Sequence, residues 1–170
     1  MSIETTEQQQ RDNRAGEAHP TGTAGLEGKY LTFNLGAEVY GIDIIKIREI
    51  IGIMPITAVP NMPDHVKGVI NLRGRVIPII DLRLRFAMQE TAATDRTCII
   101  VVEVIRQNGQ HHTTGIIVDS VSEVATIKEA DIEEPPAFNS VLDTSDILGM
   151  AKLEDGVKIL LDIDLILGKE

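Results

Sequence analysis

An arginine at a tight turn is the first residue in this chain that asks for a chemical reason. In GVINLRGRVIPIIDLR, residues 68 to 83, the run Asn71-Leu72-Arg73-Gly74-Arg75 interrupts an otherwise apolar stretch. Two strands joined by a short turn account for the apolar flanks, but Asn-Gly or Asp-Gly would make such a turn. Arg73 offers instead a rigid, permanently charged fork that can grip a carboxylate through two parallel hydrogen bonds. Catalytic chemistry is harder to find. His19, His65, His111 and His112 fall in a polar N-terminal stretch, a Pro-rich loop and a hairpin turn, none beside a credible Ser or Cys nucleophile. The pair His111-His112 lacks a Cys, or an Asp or Glu at ligand spacing, and is read as solvated loop residues. Cys98 opens the run CIIVVEVI, where a buried small hydrophobe is expected. Asp131, Glu133 and Glu134 precede Pro135-Pro136 without the calcium-loop pattern. With no glycine-rich phosphate loop, HExxH or GxSxG, the expectation is a binding module with no catalytic residue, metal or cofactor.

Charge narrows the kind of partner. The 170 residues carry 26 acids against 16 lysines and arginines, a net charge of −10. Phosphate backbones and anionic lipid surfaces both require a basic face, so neither nucleic acid nor membrane is an expected partner. No stretch reaches the roughly 20 apolar residues of a bilayer span, and the N-terminus lacks a signal-peptide profile, so a cytoplasmic protein is expected. Aromatic residues make up only 3% and Trp is missing, so the core must be built from Ile, Val and Leu.

Short β segments dominate the elements that must hold these residues. Residues 1–27 contain almost no large apolar side chains and are expected to be a disordered tail, with five acids against two arginines. From Tyr30 the stretch YLTFNL alternates as a half-buried strand does. Further strands are expected at 39–42, 56–59, 69–72, 76–80, 97–105, 113–118, 121–127, 147–153 and 157–161. Asn108-Gly109 marks a hairpin between the 97–105 and 113–118 strands. Asp43 can cap a helical turn through Ile44, Ile47 and Ile51, and Asp81 and Asp162 can cap LRLRF and IDLILG. Pro78 within a strand implies an edge or a bulge.

The chain also repeats itself. GIDIIKIREI from Gly41 lines up with GIIVDSVSEV from Gly115, matching Ile44 with Val118, Ile47 with Val121, Glu49 with Glu123 and Ile50 with Val124. GVINLRGRVIPIIDL from Gly68 lines up with GMAKLEDGVKILLDI from Gly149, pairing Leu72 with Leu153 and Asp81 with Asp162. The halves, about 37–88 and 97–168 with the 30–35 strand possibly shared, read as two small closed barrels packed around a shared core. Opposite Arg73-Gly74 the second copy has LEDG, read as an Asp-Gly hairpin, so the turn itself does not demand arginine.

These motifs resemble a known family. YGIDIIKIREI, PNMPDHVKGVINLRGRVIPIIDLRLRF, GIIVDSVSEV and GVKILLDIDLIL are similar, in order and spacing, to the CheW coupling proteins of bacterial chemotaxis, over about residues 28–168. The resemblance implies an all-β fold of two intertwined five-stranded SH3-like barrels with a few short helices, one of them C-terminal. It implies a non-enzymatic adaptor that binds the cytoplasmic tips of chemoreceptors and the regulatory domain of the histidine kinase CheA, and so is recruited to membrane-associated receptor arrays. A CheW-like regulatory module of another two-component signalling complex is the alternative. The same resemblance pairs Glu49 with Arg73 beside a receptor groove, with Ile44 and Ile47 on one helical face and Thr97 and Cys98 across from them. Gly68, Asn71 and Gly74 fit its turn positions. Apolar loop residues around Ile53-Met54 and Leu148-Met150 are candidates for the kinase contact.

Overall fold

The computed structural model describes residues 23–136 and 144–168. The alternating stretch becomes β1 (Gly28–Leu35), which antiparallel pairing joins to β2 (Glu38–Asp43). A 3₁₀ turn at Ile44–Lys46 leads into β3 (Ile47–Gly52). The hairpin β4 (Val66–Leu72) and β5 (Arg75–Asp81) ends on the short α1 (Leu82–Arg85). Then follow β6 (Cys98–Ile105), β7 (His111–Val118), β8 (Ser120–Ile127) and the two-residue β9 (Ile132–Glu133). A second hairpin, β10 (Ile147–Leu153) and β11 (Gly156–Leu161), closes on α2 (Ile163–Gly168).

The fold is mostly β, in two sheets. Their strand orders are β8-β1-β2-β11-β10-β9 and β3-β6-β7-β5-β4. Each sheet draws strands from early and late in the chain, joined by the only parallel pairings among the described strands, β2 with β11 and β5 with β7. One core fills the space between the sheets, built from Phe33, Tyr40, Ile42, Leu82, Ile100, Ile116 and Leu161 among others. Each sheet also buries a smaller cluster of its own, around Tyr30, Ile127 and Leu160 in one and Ile70, Ile79 and Ile99 in the other. β1 is therefore buried on both faces, not the one its alternation suggests: Leu31, Phe33 and Leu35 enter the shared core while Tyr30 enters the sheet's own.

The two hairpins match in detail. β10 begins and ends 81 residues after β4, and both carry a bulge at a glycine, Gly68 in one and Gly149 in the other. A covering segment crosses each bulge closely: a Cβ on Gly68 would lie 2.0 Å from the Thr57 carbonyl oxygen, and one on Gly149 2.6 Å from Ile132. Gly68 is thus a strand residue at a close backbone approach, not a turn residue. Thr57 meets β4 through a single bridge to Val69, so the expected 56–59 strand reduces to one residue pair.

Other expectations change in the same way. Pro78 lies in an interior strand, but the β5–β7 ladder starts only at Ile79, so the missing N–H removes no bond from it. The LEDG turn is centred on Glu154-Asp155, with Gly156 already pairing with Leu153. His111 and His112 belong to β7, and Leu148 and Met150 to β10, so none is a loop residue. Of the stretch expected to be a tail, residues 1–22 lie outside the described residues. Leu26 packs against the cluster around Tyr30, whose hydroxyl donates to the Leu26 carbonyl at 2.6 Å.

Candidate partner-binding site

Arg73 and Glu49 meet. Arg73 Nη1 and Nη2 donate to Glu49 Oε1 and Oε2 at 2.6 and 2.8 Å, a two-pronged ion pair between the β4–β5 turn and strand β3. The guanidinium holds the Glu49 carboxyl below its ordinary range, chiefly through these hydrogen bonds. Arg73 is 71% exposed and Glu49 29%, so the pair sits at the surface and not in a buried groove.

Backbone geometry makes Arg73 unusual. It takes φ +51°, followed by Gly74 at +84°, the pair of positive angles of a two-residue hairpin turn that favours Asn-Gly. The Asn71 side chain accepts from the Gly74 N–H at 2.9 Å and steadies the turn. In the matching hairpin neither Glu154 nor Asp155 has a positive φ. Arg73 therefore accepts a left-handed backbone, at about 1–2 kcal/mol for a residue with a Cβ, where its counterpart does not.

A bulge aims Glu49 at Arg73. Ile47 pairs with Val102, yet Glu49 pairs with Val101, so one extra residue on β3 reverses the face. Ile47, with Cys98, Ile100 and Val102, faces the core between the sheets. Glu49, with Val101, faces the other side, where the ion pair borders an open cleft of about 400 Å³ that also takes in Arg48, Ile77, Arg75 and Glu103. Arg48 pairs with Glu103 there, while Arg75 lies 3.4 Å from the Thr113 hydroxyl. Arg48, Arg75 and Glu103 were not foreseen. Adjacency to Glu49 and Arg73 in the sequence was the available signal for the two arginines.

The six residues expected to share one groove do not all meet: Glu49 and Arg73 pair on one face of the sheet, Ile47 and Cys98 pack on the core side, and Ile44 and Thr97 lie apart from both pairs. Ile47 and Ile51 are not on a helical face with Ile44, because the helical turn ends at Lys46. Ile44 is exposed at that turn, and Ile47 packs on the shared core. Cys98 also packs there, and burial raises its thiol pKa, which suppresses the reactive thiolate. Thr97 lines a separate cleft of about 290 Å³ with Ile53, Ile56 and Thr91, bordered by the Arg83–Asp119 pair. Met54 packs against the Ile70–Ile79–Ile99 cluster, while Ile53 is exposed. Of the set, Ile47 and Glu49 lie on β3, an edge strand that also exposes Ile50, paired with core-facing Ile100.

The chain is thus mostly β, in two interleaved sheets, with a charged cleft lined by β3, the β4–β5 hairpin, β6 and β7. The CheW-like domain model matches residues 29–170. The chain is 41% identical over 148 residues to the chemotaxis protein CheW of Klebsiella aerogenes, covering 87% of this chain and 85% of that one. It is 34% identical over 140 residues to the chemotaxis protein CheW of Rhizobium meliloti, covering 82% and 87%. The crystal structure of the scaffolding protein TtCheW from Thermoanaerobacter tengcongensis superposes with a TM-score of 0.73 at 37% identity, covering 85% of this chain and 97% of that one. The chain belongs to the CheW family of chemotaxis scaffold proteins. Among the described residues no helix is long and apolar enough to cross a membrane.

Proposed function

We propose that this chain is a non-enzymatic coupler between the cytoplasmic tips of chemoreceptors and the regulatory domain of the histidine kinase CheA, recruited from the cytoplasm to receptor arrays. The observation that carries this reading is Arg73, held in a left-handed backbone that Asn or Gly would adopt more readily, and paired through both prongs with Glu49. Strain kept at one residue and missing from its counterpart in the second hairpin points to a role in contact. A helical receptor tip would lie along the β3 edge, its apolar face on exposed Ile44 and Ile50 and its polar flank over the Glu49–Arg73 pair. Exposed Ile53, with Met54, Leu148 and Met150 half-buried behind it or on β10, are the residues proposed for the kinase contact.

Charge reversal at the pair tests the reading. Arg73→Glu is expected to weaken receptor binding while kinase binding and the circular dichroism spectrum stay unchanged. Equal loss of both interactions together with the folded spectrum would make Arg73 a structural residue and remove the proposal's support.

A further inference from the structure

A small cavity lies away from the β3 edge, at the end of the shared core. Its volume is about 160 Å³, and Val66, Ile80 and Leu167 supply much of its wall. Three hydrogen-bond donors border the same space: Arg106, His112 and Thr114. His112 and Thr114 are two residues apart on β7 and so project from one face of the strand. Arg106 enters from the β6–β7 hairpin, where its backbone N–H donates to the Gln110 carbonyl at 2.9 Å.

One of these donors is buried without a partner among the described residues. Arg106 Nε is buried with no acceptor, a rare condition for a guanidinium nitrogen. Thr114 is 4% exposed and borders the cavity. His112 is held below the ordinary imidazole range, first by burial and then by the Arg106 charge, so it is neutral near pH 7 and keeps one N–H to donate. Among the described residues no acidic side chain lines the space, although the chain carries a net charge of −10. Elsewhere in the protein arginines meet carboxylates, as Arg48, Arg73 and Arg83 do. A small cavity lined by a cation, two further donors and apolar side chains fits an anion that carries a short hydrocarbon body.

We propose that this cavity binds a small organic carboxylate, its oxygens taken by Arg106, His112 and Thr114 and its apolar body by Val66, Ile80 and Leu167. The assignment is independent of receptor coupling. It would tie α2, the β6–β7 hairpin and β4 together around one ligand.

The test uses the full chain, isotope-labelled for NMR, titrated with 4-methylpentanoate up to tens of millimolar. Saturable shifts are expected at the amides of His112 and Thr114. The uncharged analogue 4-methylpentanamide should bind about tenfold more weakly or less, because it cannot make the charge-assisted bonds. Arg106→Met and, separately, Thr114→Val should each weaken binding of the acid while the remaining spectrum stays folded, and Arg106→Lys should retain part of it. Shifts that do not saturate, acid and amide binding equally, or acid binding untouched by both Arg106→Met and Thr114→Val would overturn the site. A third arm, N-acetyl-leucine, stands for the carboxyl terminus of a partner chain. Tighter binding by it than by the free acid would overturn the assignment to a small molecule.

Discussion

Arg73 sets two preferences against each other. Its backbone conformation suits Asn or Gly, while its side chain makes the pair with Glu49. Arg73→Asn should therefore leave the melting temperature unchanged or raise it, since Asn enters the left-handed region more easily, while receptor binding falls. A fall in melting temperature would mean that the ion pair outweighs the turn strain. The pH dependence is clearer at Asp119, which accepts from Arg83 Nε and Nη2 at 2.7 and 2.6 Å and from the Gly36 N–H at 2.8 Å. Arg83 holds its carboxyl below the ordinary range, so folding binds fewer protons there than unfolding does. That contribution is present above the unfolded-state pKa and is lost as pH falls through the lower folded one. Asp162 runs the other way, because burial raises its pKa and its protonation favours the fold as pH falls. Acid unfolding followed by circular dichroism should lose part of its low-pH limb in Asp119→Asn. The sequence showed Arg73 to be dispensable to a turn, but its pairing with Glu49 was legible only through the family resemblance. Nothing local marks the bulge that turns Glu49 away from Ile47.

Glycines decide how the β4–β5 and β10–β11 hairpins are covered. Gly68→Ala would combine a positive φ of 139° with a Cβ 2.0 Å from the Thr57 oxygen, and should cost about 2 kcal/mol or more by denaturant unfolding. Gly74→Ala has a φ of 84° and open space around the added Cβ, so only the backbone term of about 1–2 kcal/mol applies. Equal costs would mean that the close approach at Thr57 relaxes freely. Most strands were readable from alternation, β-branched residues and turn signals, with ends displaced by up to three residues. β3 was not: Ile44, Ile47 and Ile51 fit a helical spacing, although Ile47, Glu49 and Ile51 also alternate with the exposed Arg48, Ile50 and Gly52. The repeat held the answer, because the segment aligned with β3 is β8, which reads as a strand. β9, two residues long, has too little sequence to announce itself.

At the scale of the whole molecule, neither sheet is the product of one stretch of chain. The sheet containing β3 to β5 also needs β6 and β7, and the other combines β1 and β2 with β8 to β11. Fragments 23–92 and 93–168, expressed separately, should each be unfolded by circular dichroism and regain β structure when mixed, and the intact chain should unfold in one transition. A folded fragment would show that the shared core is dispensable. This interleaving joins the β3 edge and the proposed kinase-facing residues through shared sheets and one core, which suits the proposed coupling role. The self-alignment pointed to two repeated halves, but which strands cross between them depends on long-range pairings such as Ile79 with Gly115, which no local pattern encodes. The central claim is tested most directly by reconstituting receptor-containing membranes with the kinase and measuring autophosphorylation with and without this chain. The account predicts that adding the chain raises kinase activity and makes it respond to attractant, and that Arg73→Glu fails to do so. Activity and response unchanged by the wild-type chain would contradict it.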